Sequence, residues 1–329
     1  MPNIIISDKC NLQCPYCFAE DVMKQNFNFI KYEDFSKILN WFTESYEEIE
    51  QIGIIGGEPT LHPMFLSIMD LLNKYCATLN IEGLVFTNGI LLKPYMKHMG
   101  DNIGFLVNCN SPKYQTKKQY EQLLDTLYTA KKMGWIETDR MRVGCNIFLD
   151  LNDYSYFWND IVDKIDARFI RCSVVSPGGC YAQEWANQEK KEEYYKKLKP
   201  IFMQFMREAI KRNIIVGLDC NQIPMCYFSE EEQKELIPYM EYPPYSVCRP
   251  PIDIKPDLTA TSCFGAHNTK IEQSKITDFN SISELRQFLF LMHNAQKASL
   301  NDGGKCSKCN YYNEMQCQGG CLAFAQDSQ

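Results

Sequence analysis

The sequence predicts an α/β fold: a partial (β/α)6 barrel followed by a small cysteine-rich C-terminal domain. Three observations carry that expectation. Short apolar runs alternate with amphipathic stretches over the first two thirds of the 329 residues. Such strand–helix alternation implies a parallel sheet, because parallel neighbours need crossover connections. After residue 214 the pattern breaks: prolines cluster in EYPPYSVCRPPIDIKP, helices become scarce and cysteines become dense.

The elements follow in order. NIIIS (3–7), IGIIG (52–56), GLVFT (83–87), GFLVN (104–108), VGCNIF (143–148) and RFIRCSVV (168–175) each read as a buried strand. Between them, helical patterns span 32–45, 64–75, 91–99, 116–132 and 153–165, and a long charged helix spans 188–211. Six strand–helix repeats are fewer than a closed (β/α)8 barrel holds, so the barrel is partial, with its chemistry in the loops after the strands. IIVGLD (214–219) adds one short strand. The segment behind it has too little apolar content for a core of its own and needs metal staples. The expected division is 1–215 for the barrel and 216–329 for an auxiliary domain.

Composition narrows the function classes. The formal charge of −7 argues against a nucleic-acid-binding surface. No apolar run is long enough to span a bilayer, and MPNIIISDKC lacks the features of a signal peptide, so a cytoplasmic protein without a membrane partner is expected. The N-terminus enters a strand at once, which leaves no leading domain. Sixteen cysteines are many, and they are grouped: three at the start, eight after residue 216, five between. In a long chain without an export signal, that grouping points to metal or cluster ligation rather than disulfides.

CNLQCPYCF (10–18) sets Cys10, Cys14 and Cys17 directly after the first strand. A four-iron cluster on three cysteines keeps one iron open, and an open position is how a metal centre binds a substrate or cofactor directly. Zinc is the alternative, but no second cysteine or histidine pair lies nearby. After the second strand comes GGEP: Gly56 and Gly57 allow close backbone approach and unusual dihedrals, Glu58 accepts charge-assisted hydrogen bonds, and Pro59 stiffens the exit. By strand alternation, Asn108 shares a face with Asn110, Asn146 with Gly144, and Arg171 with Ser173. These polar sets are expected to point into the barrel, and Cys109, Cys145 and Cys172 to face the helices as small hydrophobes. Cys76 belongs to the core, His62 shapes the loop after GGEP, and His98 and His293 are structural.

CNLQCPYCF resembles the CxxxCxxC signature of radical S-adenosylmethionine (radical SAM) enzymes, with Tyr16 in the aromatic position before the last cysteine. GGEP extends the resemblance, which covers about residues 1–213. It implies a [4Fe-4S] cluster on Cys10, Cys14 and Cys17 whose unique iron is chelated by the methionine part of SAM. It also implies reductive cleavage of SAM to a 5′-deoxyadenosyl radical that removes a hydrogen atom from the substrate. Glu58 would then meet an ammonium group. Thr87, Asn88, Asn108, Asn146, Ser173 and Arg171 would hold the SAM ribose and carboxylate; the alternatives are a structural ion pair for Arg171 and satisfied amides for the asparagines. Cys180, after PGG in the loop following strand 6, touches substrate or donates a hydrogen atom, or is a loop cysteine without a role.

The C-terminal cysteines resemble the SPASM domain, an auxiliary two-cluster module of many radical SAM enzymes. Fourteen residues lie between Cys248 and Cys263, and KCSKCNYYNEMQCQGGC has gaps of two, seven and three. Two features depart from the family: a gap of five is seven here, and the final cysteine is missing. By analogy one cluster uses Cys248, Cys263 and Cys321, the other Cys306, Cys309 and Cys317, each one ligand short. Cys220 and Cys226 are candidates for the vacancies, as are a carboxylate, water or substrate; a single cluster, as in the shorter twitch variant, and a zinc ribbon are the remaining alternatives.

The resemblance implies modification of a peptide or protein side chain by thioether or carbon–carbon crosslinking, epimerisation or oxidation. A flavodoxin- or ferredoxin-type electron donor and a separate leader-peptide-binding protein are the expected partners. Sulfatase maturation is disfavoured, since Phe264 follows Cys263 where those relatives carry an aspartate. The alternatives are a dehydrogenation or rearrangement of a small molecule and, from another class, a non-catalytic iron–sulfur or zinc protein.

Overall fold

The computed structural model describes residues 1–17, 29–43, 49–177, 181, 183–185, 189–219, 223–241, 251–263, 274–299 and 305–325. Cys180, Cys220 and Cys248 lie outside the described residues.

Seven parallel strands follow the chain in order: β1 (Pro2–Ser7), β2 (Gln51–Gly56), β3 (Glu82–Thr87), β4 (Ile103–Asn108), β5 (Met141–Ile147), β6 (Phe169–Val174) and β7 (Ile215–Leu218). Their crossovers carry α1 (Tyr32–Thr43), α2 (Phe65–Leu79), α3 (Lys93–Met96), α4 (Lys117–Lys132), α5 (a π-helical stretch Tyr156–Val162 running into Asp163–Ile165) and α6 (Lys191–Lys211). The apolar runs that identified the strands are the core: Ile4, Ile54, Val85, Phe105, Val143 and Ile170 are all buried. Each such side chain contributes roughly 1.5–3 kcal/mol by leaving water. The alternation is kept. Asn108, Asn146, Arg171 and Ser173 are half-exposed, and Cys109, Cys145 and Cys172 between them are buried, with Cys145 and Cys172 in register on adjacent strands.

Two expected helices come out differently. The pattern over 91–99 yields only Lys93–Met96, because the residues around it make tighter i→i+3 turns, among them His98 to Tyr95 and Met99 to Met96. The pattern over 153–165 opens into the wide π turn, where the consecutive aromatics Tyr156, Phe157 and Trp158 are all buried.

The sheet is open and does not end at the expected boundary. Its order is β10-β9-β8-β1-β2-β3-β4-β5-β6-β7. On one edge β7 pairs with β6; on the other, β8 (Ile252–Ile254) pairs in parallel with β1, and β9 (Thr259–Thr261) and β10 (Ser274–Lys275) continue antiparallel. Covering the β1 edge removes a row of unpaired backbone groups. The junction is also polar and specific: the buried Asn3 amide donates to Asp253 at 2.7 Å. Helices are less scarce after residue 214 than expected, with α7 (Glu230–Leu236), the eighteen-residue α8 (Ile282–Ser299) and α9 (Asn310–Asn313). α8 buries Ile282, Leu285 and Leu289 in the common core, which supplies the apolar packing this region lacks by itself.

Candidate active site

The loop after β1 presents the thiols of Cys10, Cys14 and Cys17, Cys10 exposed and the other two half-buried. The Cys17 N–H donates to the Cys14 carbonyl at 3.1 Å, closing a turn, and the Leu12 N–H donates to the Cys10 sulfur at 3.4 Å. Burial pushes the Cys14 thiol up to about 12, reinforced by the charges of Cys10 and Cys17. Burial also pushes Cys10 up to about 11, with smaller contributions from Glu58 and Cys17. Three crowded thiols that raise one another's proton affinity suit a cationic iron–sulfur group, and three ligands leave one iron of a four-iron cluster open.

The loop is anchored on several sides. The Asn88 amide donates to Asn11 Oδ1 at 2.7 Å, and the Gln119 amide donates to the Asn11 carbonyl at 2.9 Å. Gln119 sits at the third position of the capping box that opens α4, where its N–H also bonds Thr116. Tyr16 is buried against Phe148, with ring centroids 4.5 Å apart, and its hydroxyl donates to the Asn110 side chain. Asn110 Oδ1 also accepts from Asn108 at 3.1 Å, and Asn108 Oδ1 accepts from Asn146 at 3.0 Å. Asn146, Asn108 and Asn110 therefore form one chain of amides that runs from β5 to the Tyr16 hydroxyl on the cysteine loop.

GGEP docks on the stem of that loop through its backbone. The Gly57 N–H donates to the Ser7 carbonyl at 2.8 Å, and the Glu58 N–H to the Lys9 carbonyl at 2.7 Å. A Cβ at Gly56 would stand 2.4 Å from the Ser7 carbonyl oxygen, and one at Gly57 2.4 Å from that of Lys9, so both positions require glycine. The close approach expected of these glycines is found; the unusual dihedrals are not, since neither has a positive φ.

Glu58 is fully buried. One oxygen accepts from the Thr60 N–H (3.1 Å), the Thr60 hydroxyl (2.6 Å) and the Thr87 hydroxyl (2.7 Å); the other accepts from the Asn88 N–H (2.8 Å). Burial pushes its carboxyl up, and these four donors pull it back. Thr87 and Asn88 are thus committed to bracing Glu58 and Asn11. Arg171 pairs with Asp219, just past β7, and lies 5.1 Å from the centre of the Phe86 ring. Ser173 is the register partner of Asn146. His62 shapes its loop as expected, bonding the Ile30 carbonyl and accepting from the Met64 N–H, and burial lowers its pKa.

Of the described C-terminal cysteines, four come together and two stand elsewhere. Cys263 follows β9, and the Cys321 sulfur lies 3.2 Å from the Ser176 hydroxyl, after β6. Cys226, Cys306, Cys309 and Cys317 line one cavity together. Burial pushes the Cys226 thiol up to about 11, and the charges of Cys317, Cys309 and Cys306 add to it. Among the described residues, no three His, Cys, Asp or Glu side chains converge on a single-ion position.

Sequence reading missed Asn11, Gln119, Thr60 and Asp219, all of which hold site residues. The TKKQ capping pattern marks Gln119 as a helix start but not as a loop anchor.

The family model described as Radical SAM superfamily matches residues 4–154. Among curated proteins, the GTP 3',8-cyclase of Petrotoga mobilis is 28% identical over 181 residues, 51% of this chain and 54% of that protein. The chain spans about half or less of the length of the first curated relatives it matches. Among solved structures, Streptococcus suis SuiB bound to S-adenosylmethionine aligns over 99% of this chain and 76% of that one, with 13% identity and TM-score 0.69. The structure of anSMEcpe with bound AdoMet and Cp18Cys peptide aligns over 99% and 90%, with 17% identity and TM-score 0.63. The matched segment runs from within β1 to Tyr154, shortly before α5, and so takes in the three-thiol loop, GGEP and the side-chain network on Asn110; residues 4–154 of this chain carry a radical SAM domain.

Proposed function

We propose that this protein reductively cleaves S-adenosylmethionine at a four-iron cluster held by Cys10, Cys14 and Cys17, and directs hydrogen abstraction onto a peptide or protein side chain. The observation that carries the reading is the three-thiol loop docked on the GGEP backbone through Gly57 and Glu58. When bound, the cluster supplies the electron that splits SAM into methionine and a 5′-deoxyadenosyl radical, which takes a hydrogen atom from the substrate. The chain's own residues orient and exclude. Glu58, Thr87 and Asn88 hold the loop from below. Asn108, Asn146 and Ser173 offer polar groups on the half-exposed face of β4 to β6, and Arg171 adds a positive charge there, balanced by Asp219. Fixing the reacting carbon beside one C–H bond while excluding water is the protein's main contribution to such chemistry.

The peptide reading is supported by likeness along the whole chain. The SuiB and anSMEcpe folds align over nearly all of it, including residues 216–329, which we read as the auxiliary cluster region, and both proteins have structures with peptides bound. Small-molecule chemistry is the second reading, favoured by the GTP 3',8-cyclases, whose likeness covers about half of the chain. We read the protein as cytoplasmic and served by a flavodoxin- or ferredoxin-type donor; among the described residues no helix is long and apolar enough to cross a membrane.

The test is anaerobic reconstitution, reduction, and mass spectrometry of 5′-deoxyadenosine, with cysteine- or aromatic-containing peptides deuterated at carbon and, separately, with GTP deuterated on its ribose carbons. Deuterium in 5′-deoxyadenosine from a peptide supports the first reading and from GTP the second. Intact clusters with no cleavage of SAM under any condition would sink both.

A further inference from the structure

Cys306, Cys309 and Cys317 lie close together in one stretch of chain, and the fold brings a fourth thiol to them from far upstream. We propose that Cys226 is the fourth thiolate of an iron–sulfur cluster otherwise held by Cys306, Cys309 and Cys317. This rests on reading the C-terminal cysteines as cluster ligands.

The four thiols line one cavity although Cys226 precedes Cys306 by eighty positions. The approach is built rather than incidental. Cys226 sits in a short 3₁₀ turn, Met225–Tyr227, directly before α7. From α7, Gln233 donates to the Met225 carbonyl at 3.3 Å and to the Phe228 carbonyl at 3.2 Å, bracketing the cysteine on both sides. The same side chain accepts from the Tyr311 hydroxyl at 3.1 Å, and the Tyr311 carbonyl in turn accepts from the Cys317 N–H at 3.0 Å. One glutamine thus ties the Cys226 turn to the loop that carries the other three thiols. Cys317 is prepared as a ligand too, since the Gly319 N–H points at its sulfur at 3.3 Å. Amides directed at cysteine sulfur tune iron–sulfur sites. A zinc ion would gather four sulfurs to about 2.3 Å of one point. The thiols ring a cavity without converging on a single-ion position, which suits the larger group.

A cluster ligated by four cysteines has no iron open to substrate. This end of the protein would then serve electron transfer or structure, not substrate chelation.

The test uses the full chain in a Cys10→Ala/Cys14→Ala/Cys17→Ala background, which removes the barrel cluster and leaves auxiliary iron alone. Iron, acid-labile sulfide and the EPR spectrum of the reduced protein are compared before and after adding Cys226→Ala or Cys226→Ser. Cys226→Ala is expected to lose about four irons per chain, or about one with a change to a three-iron spectrum. Cys226→Ser, with an oxygen ligand, should retain more iron than Cys226→Ala and shift the spectrum. Far-UV circular dichroism of each variant, read beside the iron content, separates loss of a ligand from loss of the fold. Iron and spectrum unaffected by Cys226→Ala would overturn the proposal, as would zinc in place of iron or no metal in the background protein. Wild-type SAM cleavage is read separately, so its failure would reject the proposed activity without altering the Cys226 result.

Discussion

Thr87 donates its hydroxyl to the buried carboxylate of Glu58 at 2.7 Å, joining the end of β3 to the GGEP turn after β2. With Thr60 and the Asn88 N–H, this makes Glu58 a four-donor brace beneath the cysteine loop rather than a free acceptor. A Glu58→Gln variant keeps the shape, and its amide oxygen can serve the three donors on one side. Its NH₂ then faces the Asn88 N–H and orphans a buried donor. A loss of about 1–3 kcal/mol in urea unfolding is expected, and an unchanged midpoint would show that the brace is dispensable.

Gly57→Ala should act through the loop it touches. The added Cβ meets the Lys9 carbonyl at 2.4 Å, so residues 9 and 10 must move. Overpacking of this kind costs about 1–3 kcal/mol, and iron bound at Cys10, Cys14 and Cys17 should fall while auxiliary iron stays. Gly104→Ala, whose nearest contact is an ordinary 3.4 Å, is the control. Equal iron in both variants would refute the steric account.

Cys14→Ala and Cys172→Ala separate ligand from packing. Cys14 shares its loop with two other thiols, whereas Cys172 is buried beside Cys145 on the opposite face of the sheet from Arg171 and Ser173. The first change is expected to remove about four irons and all 5′-deoxyadenosine formation; the second should cost stability alone. SAM cleavage surviving in Cys14→Ala would reject the site.

His293 gives the fold a pH dependence. It is fully buried on α8 with no partner for either ring nitrogen, and burial, then the charge of Lys297, lowers its pKa to about 4 from the ordinary 6.5. Below pH 6.5 the unfolded chain takes up a proton that the folded one refuses, so stability falls between pH 6.5 and about 4. At the low end of that window the loss from this group approaches roughly 3 kcal/mol. His293→Leu should flatten the slope at little cost at pH 7, as read by thermal unfolding across that range. An identical slope in the variant would assign it to other groups.

Much of this protein is legible in one dimension. Strand runs such as IGIIG and GLVFT announce themselves because a parallel strand buried on both faces must be apolar throughout. CNLQCPYCF and GGEP are legible because ligand spacing and backbone contact are local properties of a loop. Alternation alone separated Asn108, Asn146 and Arg171 from Cys109, Cys145 and Cys172, since the strand period is fixed by backbone geometry. What the tertiary structure decided were relationships between distant segments. Residues 252–254 cover the edge of β1 because an unpaired edge must be paired or covered, a demand no local pattern records. Glu58 turns inward because Thr60, Thr87 and Asn88 converge on it only after β2 and β3 pair. Cys226 reaches the Cys306–Cys317 loop because α7 folds Gln233 between them. Spacing along the chain counted the candidate ligands; the fold determined which of the described cysteines share a cavity, because loop closure brings together residues that sequence separation keeps apart.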